Sequence, residues 1–159
     1  MPDLKYPIVE QIAQAIEARL KTITTDNGYQ FTVAGVARPT REGGYKPRDK
    51  LLVLQQENPE EADDQPAMYR QWWQPWRIDL YVKPPDKSIT PIDQTVNIYR
   101  AEVEKALLTD RTFGGLALDA RIRPQIDWET VDGAFEGTSI MLAVLYRHLE
   151  TDPYDNGGS

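Results

Sequence analysis

The chain carries a single histidine, His148, and no cysteine. A thiol nucleophile, a disulfide framework, a zinc–thiolate site and an iron–sulfur cluster are therefore excluded. A metal site built on a pair of histidines would need a second chain. Nucleophilic catalysis by a hydroxyl needs a base beside it. Ser139 lies nine residues before His148 on the opposite parity of one strand pattern, so the two side chains face opposite ways. His148, in YRHLE near the end of that pattern, reads as a surface residue.

Paired carboxylates do acid–base work when burial raises the pKa of one of them. Glu60-Glu61 and Asp63-Asp64 lie in a polar stretch where neighbouring acids stay solvated and ionised. Asp127 and Glu129 would share a strand face; solvated acids and a weak calcium site are the two readings there, and the first is favoured because oxygen cages need more convergence. Neither Gly-x-Gly-x-x-Gly nor Gly-x-x-x-x-Gly-Lys-Ser/Thr occurs, so no phosphate cradle has sequence support. Gly114-Gly115 reads as a turn. No catalytic residue, cofactor or metal is expected, and the chain reads as a non-enzyme.

Trp72, Trp73 and Trp76, with Tyr69 just before them, form the most unusual cluster. Trp72 and Trp76 share one strand parity and read as core against a helix. Trp73 has the other parity, flanked by Arg70 and Arg77, and is a candidate for a subunit interface, where aromatics and arginine are enriched. Base stacking is a third reading, disfavoured by acidic surroundings.

Net charge is −7, with a pI near 4.7, which argues against a dedicated nucleic-acid binder. The charge is segregated. Residues 38–50 hold Arg38, Arg41, Lys46, Arg48 and Lys50 against Glu42 and Asp49, whereas residues 57–66 hold Glu57, Glu60, Glu61, Asp63 and Asp64 with no base. A further acid-only run spans Asp127 to Glu136. Such blocks are either solvated loops or complementary surfaces between subunits or partners. The acidic loop 57–66 is expected to contact a neighbouring protein or to stay solvated. No apolar run approaches the roughly 18–20 residues of a membrane span, and MPDLKYPIVEQIAQ lacks export-signal architecture.

The elements that must position these residues follow from periodicity. Ile8, Ile12, Ile16 and Leu20 predict a helix over about 7–24, stopped by Asp26-Asn27-Gly28. Tyr29, Phe31 and Val33 alternate as a strand, Leu51 to Leu54 read as a strand covered on both faces, and Trp72 to Val82 as a long strand. Pro75 favours an edge or a bulge. Thr90-Pro91-Ile92-Asp93 opens a second helix, to about Leu108, with Thr90 as N-cap and Pro91 as first helical residue. Leu116, Leu118, Ala120 and Ile122 predict a strand, Asp132-Gly133 and Glu136-Gly137 a turn, and Ile140 to Tyr146 the last strand. The expected fold is α+β: one domain over residues 1–150, an antiparallel or mixed sheet of about five strands with two helices on one face, ordered α-β-β-β-α-β-β. Residues 151–159 read as a flexible tail.

Three segments in this order carry a resemblance: TITTDNGYQFTV (22–33) after an amphipathic helix, ALLTDRTFGGLALDARI (106–122) at the end of a second helix, and SIMLAVLYRHLETDPY (139–154). Together they resemble the tail terminator proteins (tail completion, minor tail protein U-like) of long-tailed bacteriophages and related prophage particles, over nearly the whole chain. The resemblance implies a virion protein, assembled in the bacterial cytoplasm, that forms a hexameric ring on the head-proximal end of the tail tube. Its partners would be further copies of itself, the tube protein and a head-completion or neck protein. The ring would stop tube polymerisation and let DNA through an acidic lumen that repels phosphate. Another neck or tube protein of the same particle, or a small hydrolytic or ligand-binding α+β module, are the alternatives.

Overall fold

The computed structural model describes residues 4–40, 45–83, 91–123, 128–131 and 135–158. Two long strands organise it: β4 (Tyr69–Val82) and β7 (Phe135–Leu149) pair antiparallel from Tyr69↔Leu149 to Val82↔Glu136 without a break. β2 (Leu51–Gln56) and the short β3 (Glu60–Glu61) lie end to end along the other flank of β4, and β1 (Gly35–Ala37) runs parallel to β2 at the edge. On the far flank of β7 lie β5 (Asp119–Arg123) and β6 (Trp128–Val131). The sheet is thus mixed and has seven strands among the described residues, in place of about five.

Even-numbered residues of β4 and β7 point to one face. There Trp76, Ile78, Leu80, Ile140, Leu142 and Val144 join the buried stripes of α1 (Ile8–Leu20) and α2 (Ile92–Leu108) in one core. Both helices therefore cover the same face. Ile12, Ala13, Ile16 and Leu20 of α1 are fully shut from solvent, as are Val96, Val103, Ala106 and Leu107 of α2. Burying a side chain of this size stabilises the fold by about 1.5–3 kcal/mol. α1 stops at Leu20, short of Thr24; a 3₁₀ turn over Thr25–Asn27 follows, capped by the Thr24 hydroxyl and closed by Gly28 at φ +88°.

Several expectations are corrected. Tyr29 to Val33 form no strand, although Phe31 is buried and Tyr29 and Val33 pack on the core. Their backbone donors are already taken: the Tyr29 N–H donates to the Thr24 carbonyl, Val33 N–H to Ile23, and Gln30 N–H to the Glu102 carboxylate. Glu136-Gly137 is no turn but part of β7, paired with Val82 and Tyr81. Leu118 is 42% exposed, because the strand starts only at Asp119. Pro91 is the N-cap of α2, its φ of −58° and ψ of 137° lying outside the helix; Thr90 and Asp132-Gly133 lie outside the described residues.

Pro75 sits in a central strand. Its carbonyl accepts the Glu57 N–H where β2 gives way to β3, so the missing proline donor faces the gap between those two strands. The buried Gln74 amide fills in, donating to the Glu57 carbonyl at 2.6 Å. The C-terminal residues fold back on the body: the Ile8 N–H donates to the Pro153 carbonyl, Leu149 N–H donates to Asp155, and Gly157 lies flat against the Tyr69 ring.

Candidate assembly surfaces

Among the described residues, no helix lies on the second face of the sheet. Odd-numbered residues of β4 and β7 point there, and long polar side chains from the flanking strands lie across them. Register places Arg121 of β5 opposite Ala143, whose small side chain leaves room for the guanidinium to cross β7 and lie 4.2 Å from the centre of the Trp73 ring. One rung further, Arg123 reaches Glu60 of β3 through two bonds of 3.0 and 3.2 Å. Asp79 accepts from Ser139 at 2.7 Å and Gln55 at 2.9 Å and lies 3.1 Å from Arg77. At the lower end the Arg147 guanidinium covers the Tyr69 ring at 4.3 Å.

The acids of 57–66 are mostly spoken for within the chain. Glu57 faces Arg77 at 3.8 Å, Glu60 faces Arg123, and Glu61 faces Arg70 at 3.1 Å. The segment is folded against the sheet: Glu60 and Glu61 pair with Trp73 and Trp72, and Ala62 is buried. The Arg123 guanidinium holds the Glu60 carboxyl below the usual carboxylate range. Asp63 and Asp64 stay exposed with no hydrogen bond or ion pair among the described residues.

The basic stretch is the crossover that the parallel β1–β2 pair requires. Arg38 grips Glu10 of α1 through bonds of 2.8 and 3.0 Å, which lowers the Glu10 pKa and raises that of Arg38. Lys50 lies 3.9 Å from Asp49. Arg48 donates to the Ala34 carbonyl at 3.1 Å and has no acidic partner among the described residues; Lys46 has none either. These two border a groove of about 400 Å³ along β1. Arg41 lies outside the described residues.

Of the expected interface residues, then, Arg38, Glu57, Glu60, Glu61 and Arg77 are paired internally. None of them pairs with the opposing charge block: Arg38 pairs with Glu10, Glu57 with Arg77, Arg77 also with Asp79, Glu60 with Arg123 and Glu61 with Arg70. Trp73 does face the bare side as its parity predicts, yet its cation is Arg121. Glu10, Asp79, Arg121 and Arg123 were missed; alternation places Arg121 and Arg123 on one face, but only the register of β5 on β7 shows what they reach.

The structure does not bring His148 and Ser139 together: they lie on opposite faces of β7, and the Ser139 hydroxyl donates to Asp79. The imidazole is itself held at both nitrogens: Nδ1 donates to the Leu149 carbonyl at 2.7 Å, and Nε2 accepts from the Trp72 indole at 3.2 Å. Asp110, in the DRTFGG turn, has its carboxyl held low chiefly by the Gly114 N–H, then by Thr112 and Arg19. Its bonds close the turn: Phe113, Gly114 and Gly115 all have positive φ there. No cluster of three or more acidic or imidazole groups with metal-ligand geometry occurs among the described residues; Asp127 and the Glu129 side chain lie outside them. Nor is any helix among them long and apolar enough to cross a membrane.

No protein-family model matches the chain, and no curated protein matches it. The class that the geometry itself defines is an α+β domain which, among the described residues, has a seven-stranded mixed sheet with both helices on one face.

Proposed function

We propose that the chain is a structural subunit of a phage-type particle, a tail-terminator-like protein that closes into a hexameric ring at the head-proximal end of the tail tube. The ring would halt tube growth and offer its outer face to a neck protein, with DNA passing through the lumen. The observation that carries this reading is the sheet face opposite both helices, where Trp73 and Arg77 of β4 and Arg121 and Arg123 of β5 stand on either side of β7 and are bounded by charged segments. A flat, polar, aromatic-studded face of this kind suits contact with protein better than conversion of a small molecule. Among the described residues the carboxylates displaced in pKa, Glu10, Glu60 and Asp110, are displaced downward by cations and by N–H or hydroxyl donors. That keeps them charged, whereas a proton donor needs the opposite shift.

Mass photometry with negative-stain imaging of the purified protein tests the reading. Rings of six times the 18.2 kDa subunit mass, which shorten tubes when added to polymerising tube protein, are expected. Monomers at every concentration, with tubes of unchanged length, would overturn it.

A further inference from the structure

We infer that the Asp63-Asp64 tip of one copy seats in the Lys46/Arg48 groove of the next, making a head-to-tail contact between opposite ends of the sheet. This rests on the assembly reading above and names the contact that would build it.

Most charges on the acidic and basic segments are neutralised inside the chain. What remains without an oppositely charged partner among the described residues is one pair of each sign: Lys46 and Arg48 on the crossover, Asp63 and Asp64 beyond β3. They cannot satisfy each other within one chain. The crossover is tied to the upper end of β4, where the Lys50 N–H donates to the Tyr81 carbonyl, whereas the aspartates follow Ala62, whose N–H donates to Gln71. Those two anchor points are separated by ten residues of an extended strand, about 33 Å at about 3.3 Å per residue.

The groove has a built floor. The Arg48 guanidinium lies over Gly35, so closely that a Cβ at that position would stand 2.6 Å from one of its nitrogens. Any side chain there would push the guanidinium away. With one N–H given to Ala34, Arg48 keeps the remaining donors of its fork for a carboxylate, and Lys46 and the exposed Tyr45 stand beside it. The occupant needs two adjacent carboxylates held out to solvent by a fixed backbone. Asp63 and Asp64 supply them, exposed at the tip of a turn that Ala62 and Gln65 tie to Gln71 on either side. Because the two patches differ, the contact is heterologous, and rotation between copies decides whether it closes a ring or extends a filament.

Charge exchange in trans is the test, followed by mass photometry at low salt with circular dichroism to verify folding. Reversing the groove (K46E with R48E) and reversing the tip (D63K with D64K) should each abolish self-assembly, because each variant then meets itself with like charges. Mixed in equal amounts, the two should restore particles of wild-type mass with alternating subunits. The neutral pair K46Q with R48Q should raise the concentration needed for half-assembly by about tenfold, the loss expected for two exposed ion pairs. G35V, which displaces Arg48 without changing charge, should weaken assembly similarly.

Assembly of either reversed variant alone at wild-type concentrations would overturn the contact and leave the ring reading standing. So would a folded mixture that stays monomeric. Open filaments from the mixture and from the wild type would support the contact and overturn the ring. Wild-type monomers at all concentrations would overturn both. Retention of duplex DNA by the wild type, lost in K46E with R48E while self-assembly is unchanged, would give the groove to nucleic acid instead.

Discussion

On the helix-covered side of the sheet, β4 and β7 present Trp76, Ile78, Leu80, Ile140 and Leu142, none of which touches solvent. On the other side the same strands present Trp73, Arg77, Asp79, Ser139 and Leu145, all partly exposed, beside a second and smaller buried cluster in which Tyr81 packs with Leu51 and Val53 of β2. One backbone ladder thus serves two environments, separated by the alternation of a single pleat. The covered side is stabilised by removing apolar area from water. The other side has the small Leu51, Val53 and Tyr81 cluster at one end, and over the rest of its area it is ordered largely by pairs that water and salt weaken. A surface held in that way can exchange its internal partners for those of another molecule without unfolding the sheet.

The largest expected effect breaks or upholds that contrast directly. Trp76→Ala should cost about 3–5 kcal/mol, the usual range for removing a large buried aromatic. Trp73→Ala, three residues earlier on the bare side, should cost about 1 kcal/mol, since it leaves solvent-accessible space rather than a cavity. Urea unfolding of both variants decides the matter. Equal losses would show that the bare face is as much a part of the core as the covered one.

The same contrast explains what could be read from the chain. Ile8, Ile12, Ile16 and Leu20, the continuous Leu51–Leu54 run and the Trp76–Val82 parity are local periodicities, and each lies in an observed helix or strand. Tyr29–Val33 shows the limit, because alternation reported burial correctly while the backbone donors went to Ile23, Thr24 and Glu102 instead of a neighbouring strand. β3 gave no local signal at all. Two glutamates make a strand only because Trp72 and Trp73 offer them a free ladder beyond the end of β2. The charge blocks of the candidate site were legible as blocks, but which charges pair depends on register across β5, β7 and β4.

Tyr146 sharpens the comparison through pH. Its hydroxyl sits on the covered side, and burial pushes its pKa up to about 12 from 10.0. The unfolded chain then loses this proton first, so stability is intact below pH 10 and falls as pH rises toward 12. The full loss is about 2–3 kcal/mol at about 1.4 kcal/mol per unit. Tyr146→Phe should flatten the alkaline limb of a plot of unfolding free energy against pH. An unchanged limb would place the titration elsewhere.

A smaller effect is expected where the C-terminal segment meets the bare face. Gly157 has φ +68°, and a Cβ there would stand 2.5 Å from the Tyr69 ring, the same ring that Arg147 covers from the sheet. Gly157→Ala should therefore lift the segment, at a cost of about 1 kcal/mol for the backbone conformation. Hydrogen exchange at the Leu149 amide, bonded to Asp155 at 2.7 Å, should accelerate, while exchange in α1 and α2 stays unchanged. Global acceleration would mean that the segment is integral to the fold.

The smallest effect bears on whether the bare face has any stabilising order of its own. The Arg121 guanidinium lies over the Trp73 ring across Ala143, and Arg121 is exposed. Exposed cation–π pairs are worth about 0.5–1 kcal/mol, and part of that is dispersion between guanidinium and ring, which salt does not screen. A double-mutant cycle of Arg121→Ala with Trp73→Ala should return a coupling in this range that persists in high salt. The Arg77–Glu57 pair, at 3.8 Å with both side chains more than a third exposed, should return less, and nothing once salt is added. If the stacked pair coupled no better than the ion pair, the guanidinium would be resting on the ring without holding it. Trp73 would then be free to turn toward a partner at no cost to the subunit, whereas a measured coupling sets the energy that a docking protein must exceed to displace Arg121.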